Sequence, residues 1–496
     1  MQKKVVVVGA GVAGLTAAVR LQHDGYNVIL LERRSDVGGK MNRIKGKGFT
    51  FDLGPTIVMM PHVYKETLSY TGVNPDDYIK FNTLEPMYRV TFDDGETIDA
   101  STDLVNIIRD LEPKGEAAAS GYLTYLNETY KKYLVAKNHF IERTFRKPSD
   151  FYNPKTLWQG LKLKTFDSAH HTIAKYVKNE KIQKLLSFQT LYIGISPKKG
   201  PSIYTIIPMI ETLYGVSYAK GGMYAYAEAL ERRFKELGGT LKLDTEVESI
   251  VFDGTRATGV QTKTKTIEAD AVVCNADFPY AMKHLIQSPK VKGKYTDKKI
   301  AKMDYSCSVF LLYIGLDKQI ENLQVHNLYF GSDFDENLRE IFTGLLPSDP
   351  AFYIYSPSRV DDSVAPKGKE GIYVLVPVPE LKTMQTPWTD ELKESYKEKI
   401  FNKLEKLEGF ENFQNHIEFL EMMTPDRFDK ELNAMYGATF GLAPTLKQSN
   451  YYRPKNVHPY AKNLYFAGSS AHPGAGVPIA ITSGKLVHKA LKEDLS

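Results

Sequence analysis

The first forty residues constrain this chain more than any other stretch. Val5-Val6-Val7-Val8 is a short, fully apolar, β-branched run, the pattern of a strand buried on both faces of a parallel sheet. Gly9-Ala10-Gly11-Val12-Ala13-Gly14 follows at once. Leu15 to His23 then reads as a helix stopped by Gly25, and a second strand from Asn27 to Leu31 ends at Glu32. GxGxxG alone is a weak pattern, because glycine turns between elements are common. Here a strand precedes it, a helix follows it, and Glu32 lies 18 residues after Gly14. That is the full dinucleotide-binding unit. Gly9 permits the tight turn, Gly11 lets a diphosphate approach the backbone, and Gly14 lets helix pack on strand. The helix N-terminus faces the diphosphate with free N–H groups. A plain βαβ turn without ligand is the bland alternative.

Two further stretches separate a flavin from a nicotinamide. Arg33-Arg34-Ser35-Asp36-Val37-Gly38-Gly39-Lys40 places a second glycine pair just after the acid, with Lys40 as a cation for the diphosphate; a loop turn with a solvated lysine is the alternative. Phe49 to Asp52 is a strand running into the Leu53-Gly54-Pro55-Thr56 turn, placed to lie along an isoalloxazine. A small NAD fold needs neither, so FAD is favoured. Near the far end, Asn463 to Ala467 reads as a strand ending on Gly468, followed by a loop from Ser469 to Pro478 and a last helix from Ile479. Strand, glycine loop and helix N-terminus again form a ligand cradle. One cofactor site is therefore expected from both ends of the sequence, with the middle inserted.

Composition removes several classes. A chain of 496 residues with 42% hydrophobic, 25% charged and 11% aromatic residues is neither disordered, collagen-like nor a disulfide-stapled mini-protein. Its two cysteines, Cys274 and Cys307, sit in apolar runs without CxxC or Cys/His spacing, so no metal site is expected. His170-His171 does not change this, because adjacent helical residues point apart. A net charge of +5 does not point to nucleic acid, yet it permits attraction to an anionic membrane. No apolar run reaches 18 residues, and Met1 to Lys4 leads into a strand without a signal peptide. A cytoplasmic protein is expected.

Between the cradles the character changes. Asn106 to Phe188 reads as helical, with Tyr122, Leu126, Tyr130, Tyr133 and Leu134 at helical spacing and Lys131, Lys132, Lys137, Arg143, Arg146 and Lys147 adding basic charge. It is either a surface helix with a core stripe or an interfacial amphipathic helix. Ser202 to Val216 is apolar nearly all round but broken by Pro208 and Glu211, and reads as a buried helix lining a cavity. A helix to about Leu237 follows, then strands from Thr240 to Asn275; later segments mix strands with a charged helix at Asp390 to Leu407. No repeats occur.

These motifs together resemble the bacterial phytoene-desaturase type of carotenoid flavoproteins, within the amine-oxidase-like superfamily. The resemblance runs almost the whole length. It rests on Val8-Gly9-Ala10-Gly11, on Val37-Gly38-Gly39-Lys40 with Phe51-Asp52-Leu53-Gly54-Pro55, and on Gly468 through Pro478. The thirty-carbon, dehydrosqualene-desaturating branch is the nearer likeness, on Leu186 to Gly194 and Gln448 to Pro454. The diphosphate loop ends in Lys40 where many relatives carry Arg, which puts a bidentate contact there in doubt.

The resemblance implies an α/β fold: a Rossmann-like FAD-binding domain from residues 1–60, 215–295 and 455–496. It also implies an inserted mixed-sheet substrate domain from 61–105 and 296–454, and a helical, membrane-facing lid at 106–214. Non-covalent FAD would be held by Gly9, Ala10, Gly11, Gly14, Glu32, Gly39, Lys40, Gly54, Pro55, Val247, Gly468, Val477 and Pro478. Peripheral membrane association, a polyene substrate taken from the bilayer, and oxygen or a quinone as electron acceptor are implied too. Hydride would pass from an allylic carbon of the thirty-carbon precursor to flavin N5 while a proton leaves the neighbouring carbon. For that proton Asp150 and His472 are the candidates. Asp150 reads equally as an ion pair or helix cap, and His472 as a histidine that shapes its loop. Two other readings stay open: a terminal-methyl oxidase with the same flavin motifs, and a non-flavin prenyl-lipid-binding protein.

Overall fold

The computed structural model describes residues 2–163 and 167–496. Its first layer is a five-stranded parallel sheet in the order Thr240–Lys242, Asn27–Leu31, Lys4–Val8, Ala271–Cys274, Leu464–Phe466. Val5, Val6 and Val7 are wholly buried at its centre, paired to Val28, Ile29 and Leu30 on one side and Ala271, Val272 and Val273 on the other. Burial on both faces is why this strand carries no polar alternation. Helices Val12–His23 and Val477–Leu495 pack on one face. They approach so closely that a Cβ on Gly484 would lie 2.4 Å from the Ala13 carbonyl oxygen. A three-stranded antiparallel meander, Val247–Asp253, Arg256–Thr262 and Thr266–Glu268, flanks the other face.

A second sheet has seven strands in the order Ile417–Met423, Ser308–Leu316, Glu370–Val378, Phe352–Tyr355, His326–Tyr329, Tyr88–Thr91, Thr97–Ala100. All its pairings are antiparallel except that between His326–Tyr329 and Tyr88–Thr91. The hairpin Arg43–Gly46/Phe49–Asp52 bridges the two layers. Phe49 and Phe51 bury their rings against the second sheet, while Asp52 accepts from Met223 N at 2.7 Å. Asp52 is fully buried, and burial pushes its carboxyl up to about 7.

The 106–214 region is mostly helical, as its spacing predicts. Glu116–Ala136 is its longest helix, with Ala169–Tyr176, Glu180–Ser187 and Ile206–Tyr214 around it. Ser168 and Asn179 cap two of these by accepting from backbone N–H groups. The apolar stretch expected as one helix over 202–216 is divided: Ser202–Thr205 is a single tight turn, Ile206–Tyr214 is the helix, and Gly215 at φ +71° ends it. The last helix starts at Val477 rather than Ile479, because Pro478 fits a first helical turn, where its missing N–H costs nothing. Among the described residues no helix is long and apolar enough to cross a membrane, and no three His, Cys, Asp or Glu side chains gather as metal ligands.

The joint between the first strand and its helix is tight at Gly14. A Cβ there would meet the Gly9 carbonyl oxygen at 2.2 Å and Asn275 Oδ1 at 2.8 Å. Gly14→Ala is expected to destabilise the protein by about 1–3 kcal/mol by overpacking, despite the ~1 kcal/mol better helix propensity of alanine. Urea midpoints of the two proteins check this, and an unchanged midpoint would mean that strand and helix separate at no cost.

Candidate functional site

The two sheets and the helical region enclose one large cavity of ≈ 720 Å³. Its first end is built by the N-terminal unit. Gly9, at φ +95°, turns the chain out of its strand, and Gly11 stands at the N-terminus of the following helix. Both line the cavity, as do Leu31 and Glu32 at the end of the adjacent strand. The Glu32 carboxylate is anchored on two sides: Ala10 N donates to Oε2 at 2.8 Å and Arg34 N to Oε1 at 3.0 Å. Ala10 and Gly14 do not line the cavity, and their work is different. Ala10 spends its N–H on Glu32, and Gly14 brings helix onto strand. Val247, at the start of the meander, is buried in the same wall.

The second glycine pair closes over the first turn. Gly38 N donates to the Ala10 carbonyl at 2.8 Å, and Gly38 and Gly39 adopt φ +101° and +56°. A Cβ on Gly54 would lie 2.6 Å from the Lys40 carbonyl oxygen, so this turn is seated on the same loop. Gly39, Lys40, Gly54, Pro55, Gly468, Val477 and Pro478 all line the cavity. Lys40 is half-buried and donates from Nζ to the Thr439 carbonyl at 2.8 Å; desolvation lowers its pKa while Asp277 opposes that shift. Asp277 in turn accepts from Ser470 Oγ and, at 3.3 Å, from Met435 N.

The two proton-acceptor candidates stand apart from this wall. Asp150 does not line the cavity: its Oδ2 accepts from Arg146 N and Lys147 N, both at 2.8 Å, as the cap of the short helix Pro148–Phe151. Those N–H donors hold its carboxyl below the usual range. His472 lies behind the glycine loop, whose Ala471 and Pro473 line the cavity while His472 does not. Its Nε2 is 2.8 Å from the Arg143 carbonyl, and burial pushes its imidazole down to about 4. It ties the loop to the helical region, the loop-shaping alternative.

Three side chains that the motifs did not single out organise the site. Asn275 follows the strand Ala271–Cys274 and sends its side chain between the cradles, with Nδ2 donating to the Ala467 carbonyl at 3.1 Å. Only the strand order, which sets Ala271–Cys274 beside the N-terminal strand, marks it. Asp277 is two residues further on. Arg453 is wholly buried and donates to the carbonyls of Ala471, Gln448 and Leu442 at 3.0–3.2 Å and to that of Ser469. Burial pushes its pKa down to about 10. It holds the glycine loop open as a cradle.

These residues fit a dinucleotide that carries a flavin. The glycines leave bare backbone along the wall, the helix N-terminus offers N–H groups for phosphate charge, and the fixed Glu32 carboxylate suits the hydroxyls of a ribose. Beyond them the cavity turns apolar and aromatic, lined by Phe188, Tyr192, Leu328, Phe330 and Phe334. Behind this wall Glu211 is buried, accepting from Tyr88 Oη and Gln189 Nε2, both at 3.0 Å. Burial pushes its carboxyl up to about 7.

The folded pKa of Glu211 is raised above that of an unfolded glutamate, so the folded state holds the extra proton. Its stabilising effect is present at low pH and is lost as pH rises from about 4.5 through 7. Between pH 5 and 8 the parent protein is expected to lose about 2–3 kcal/mol more stability than Glu211→Gln. Chemical denaturation at the two pH values checks it; parallel losses would mean that Glu211 titrates normally.

Comparison with known proteins agrees with this geometry. A 4,4'-diapophytoene desaturase (4,4'-diaponeurosporene-forming) from Staphylococcus haemolyticus (strain JCSC1435) is 47% identical over 495 residues, covering 99% of each chain. The protein of the same name from Staphylococcus aureus (strain Newman) is 48% identical over 497 residues, with the same coverage. The solved cyclohexylamine oxidase from Brevibacterium oxydans IH-35A superposes over the whole of both chains with a TM-score of 0.62 at 12% identity, a likeness of fold alone. The model of the flavin containing amine oxidoreductases matches residues 12–489, and the chain belongs to that family.

Proposed function

We propose that this chain is an FAD-dependent desaturase that introduces successive double bonds into dehydrosqualene (4,4'-diapophytoene), forming 4,4'-diaponeurosporene. The observation that carries the reading is that the dinucleotide cradle and an aromatic, apolar chamber are one continuous cavity. The near-full-length similarity to the two staphylococcal desaturases supports the substrate class. A prenyl-lipid-binding protein without flavin has no use for the doubled glycine turns and the anchored Glu32.

Bound FAD supplies the hydride acceptor. The chain's own contribution is to bind, orient and dry. Phe188, Phe330 and Phe334 offer aromatic surface to a polyene, and Gly54 and Pro55 connect that chamber to the cradle. Two hydroxyls near the wall are satisfied within the protein: Tyr313 Oη donates to the Leu53 carbonyl at 2.7 Å and Tyr373 Oη to that of Gly54 at 3.0 Å. A hydrocarbon therefore meets a surface with few unmet polar groups. Oxygen or a membrane quinone is the electron acceptor in this reading.

The test is anaerobic. FAD-loaded protein mixed with dehydrosqualene in liposomes is expected to lose its oxidised-flavin band as visible polyene absorbance rises. Retained flavin colour here, with bleaching on already desaturated polyenes, would favour the terminal-methyl oxidase.

The same reading has the substrate drawn from a bilayer by a cytoplasmic, peripherally bound enzyme. Support comes from one face. Leu123, Tyr130 and Leu134 recur on helix Glu116–Ala136, beside Leu213 and Tyr214 of the neighbouring helix, and are 38–50% exposed. The Tyr214 ring lies 5.4 Å from that of His62, an exposed residue of the cavity lining, and Lys137 lines the same opening. Apolar side chains at a cavity mouth, with Lys137 beside them, suit an anionic bilayer. The six basic residues named from the sequence are not one face: Lys132 is buried, and Arg146 pairs with Glu493 and Asp494. Replacing Leu134 and Leu213 by Ser is expected to weaken flotation with phosphatidylglycerol vesicles about tenfold per leucine, and undiminished flotation would place the docking face elsewhere.

A further inference from the structure

Desaturation requires a proton to leave the carbon next to the one that gives up hydride, and neither Asp150 nor His472 lines the cavity. The lining does hold a hydrogen-bonded chain beside the Gly54-Pro55 turn. Thr56 Oγ1 and Tyr353 Oη are 2.7 Å apart, and Tyr353 Oη is 2.6 Å from His326 Nδ1. Thr56 and Tyr353 line the cavity. His326 lies behind them on strand His326–Tyr329, with no exposed surface. Its ring is stacked against those of Tyr353 and Tyr355, with centroids at 5.9 and 5.2 Å. Its Nε2 is buried and has no partner. Burial keeps this imidazole neutral, pushing it down to about 3.

We propose that Tyr353 and His326 form the proton-accepting wall of the cavity: the substrate C–H proton passes to Tyr353 Oη while the phenol's own proton passes to His326 Nδ1. The proposal rests on the desaturase reading. One C–H bond leaves as hydride to FAD, the other gives its proton to Tyr353, and the electron pair left on carbon becomes the new double bond. At the wall an O–H bond forms, another breaks, and an N–H bond forms.

The neutral tautomer this requires carries its proton on Nε2 and leaves Nδ1 as the acceptor for Tyr353. Nε2 is then a buried donor without a protein partner, an exception that calls for an explanation. Thr56 contacts the same phenol oxygen and fixes its direction. The cation formed at His326 is attracted by the negative charge that hydride carries into the cavity, and that attraction is strong where water is absent. A carboxyl lies one residue beyond the imidazole, since Tyr355 Oη donates to Asp52 Oδ2 at 3.2 Å.

Two measurements on the FAD-loaded, full-length protein test this. The first is ¹⁵N NMR of histidine-labelled enzyme without substrate, with His326→Asn used to assign the signal. Protonated Nε2 and bare Nδ1 are expected; a protonated Nδ1 would overturn the proposal. The second is the single-turnover rate of flavin reduction by dehydrosqualene. Tyr353→Phe and His326→Asn are each expected to slow it about 100-fold or more, with FAD content and polyene affinity unchanged. Asn keeps an acceptor at the Nδ1 position but takes no proton, so a parent-like rate in His326→Asn would reduce His326 to a structural partner and overturn the proposal. If that variant does not fold, Tyr353→Phe decides alone. A parent enzyme that leaves its flavin oxidised would instead refute the desaturase reading, and the tautomer measurement would still judge the relay.

Discussion

One side chain holds the two halves of the cofactor cradle at their working distance. The Asn275 amide occupies the space where side chains at Gly11, Gly14 and Gly468 would otherwise stand: a Cβ at any of the three would come within 2.8–2.9 Å of it. Its backbone N donates to the Val8 carbonyl at 2.8 Å, and its side chain donates to Ala467. Strand, helix and glycine loop are thus keyed to a single residue between them. The glycines are needed as much for this close convergence as for the approach of a ligand. The rest of the site is built outward from that point.

The outer parts are braced by buried charge. Lys40 and Asp277 are both desolvated, and each has a hydrogen-bonding partner on a different segment. Arg453 has its guanidinium enclosed by backbone carbonyls. Charges enclosed in this way are costly unless every donor is met, and meeting them leaves the loops little freedom. The apolar chamber is organised by the opposite rule, with rings turned inward and the Tyr313 and Tyr373 hydroxyls spent on backbone carbonyls. A cofactor with charged and polar parts and a substrate with almost none are thereby given adjoining but unlike surroundings.

The N-terminal unit was legible because its chemistry is local: a β-branched strand, three glycines and an acid fall within one short stretch, and each answers a nearby steric or electrostatic need. The flavin preference was legible for the same reason, from the second glycine pair and the Gly54 turn. Asn275 and Asp277 were not, since nothing in their own neighbourhood marks them. Their importance comes from strand order, which brings the 271–274 strand between the first and last strands of the chain. Asp150 and His472 illustrate the reverse. Each has a residue type suited to proton transfer, but one is consumed as a helix cap and the other as a tie between loop and helix. His326 and Tyr353 belong together only through the register that sets His326 opposite Tyr355. A histidine between Val325 and Asn327 has no sequence feature to distinguish it from any buried one.

The separation of the two cradles along the chain also bears on how the protein is made. Gly9 and its helix leave the ribosome long before the strand Leu464–Phe466 and the glycine loop that follows it. At about 5–20 residues per second, the first half waits roughly 20–90 s for the second. From the time strand Ala271–Cys274 is made until Leu464–Phe466 follows, its outer edge lacks that neighbour and the glycine-loop half of the cradle is missing. Cofactor capture is therefore a post-translational event. The nascent protein depends meanwhile on whatever shields its unfinished sheet.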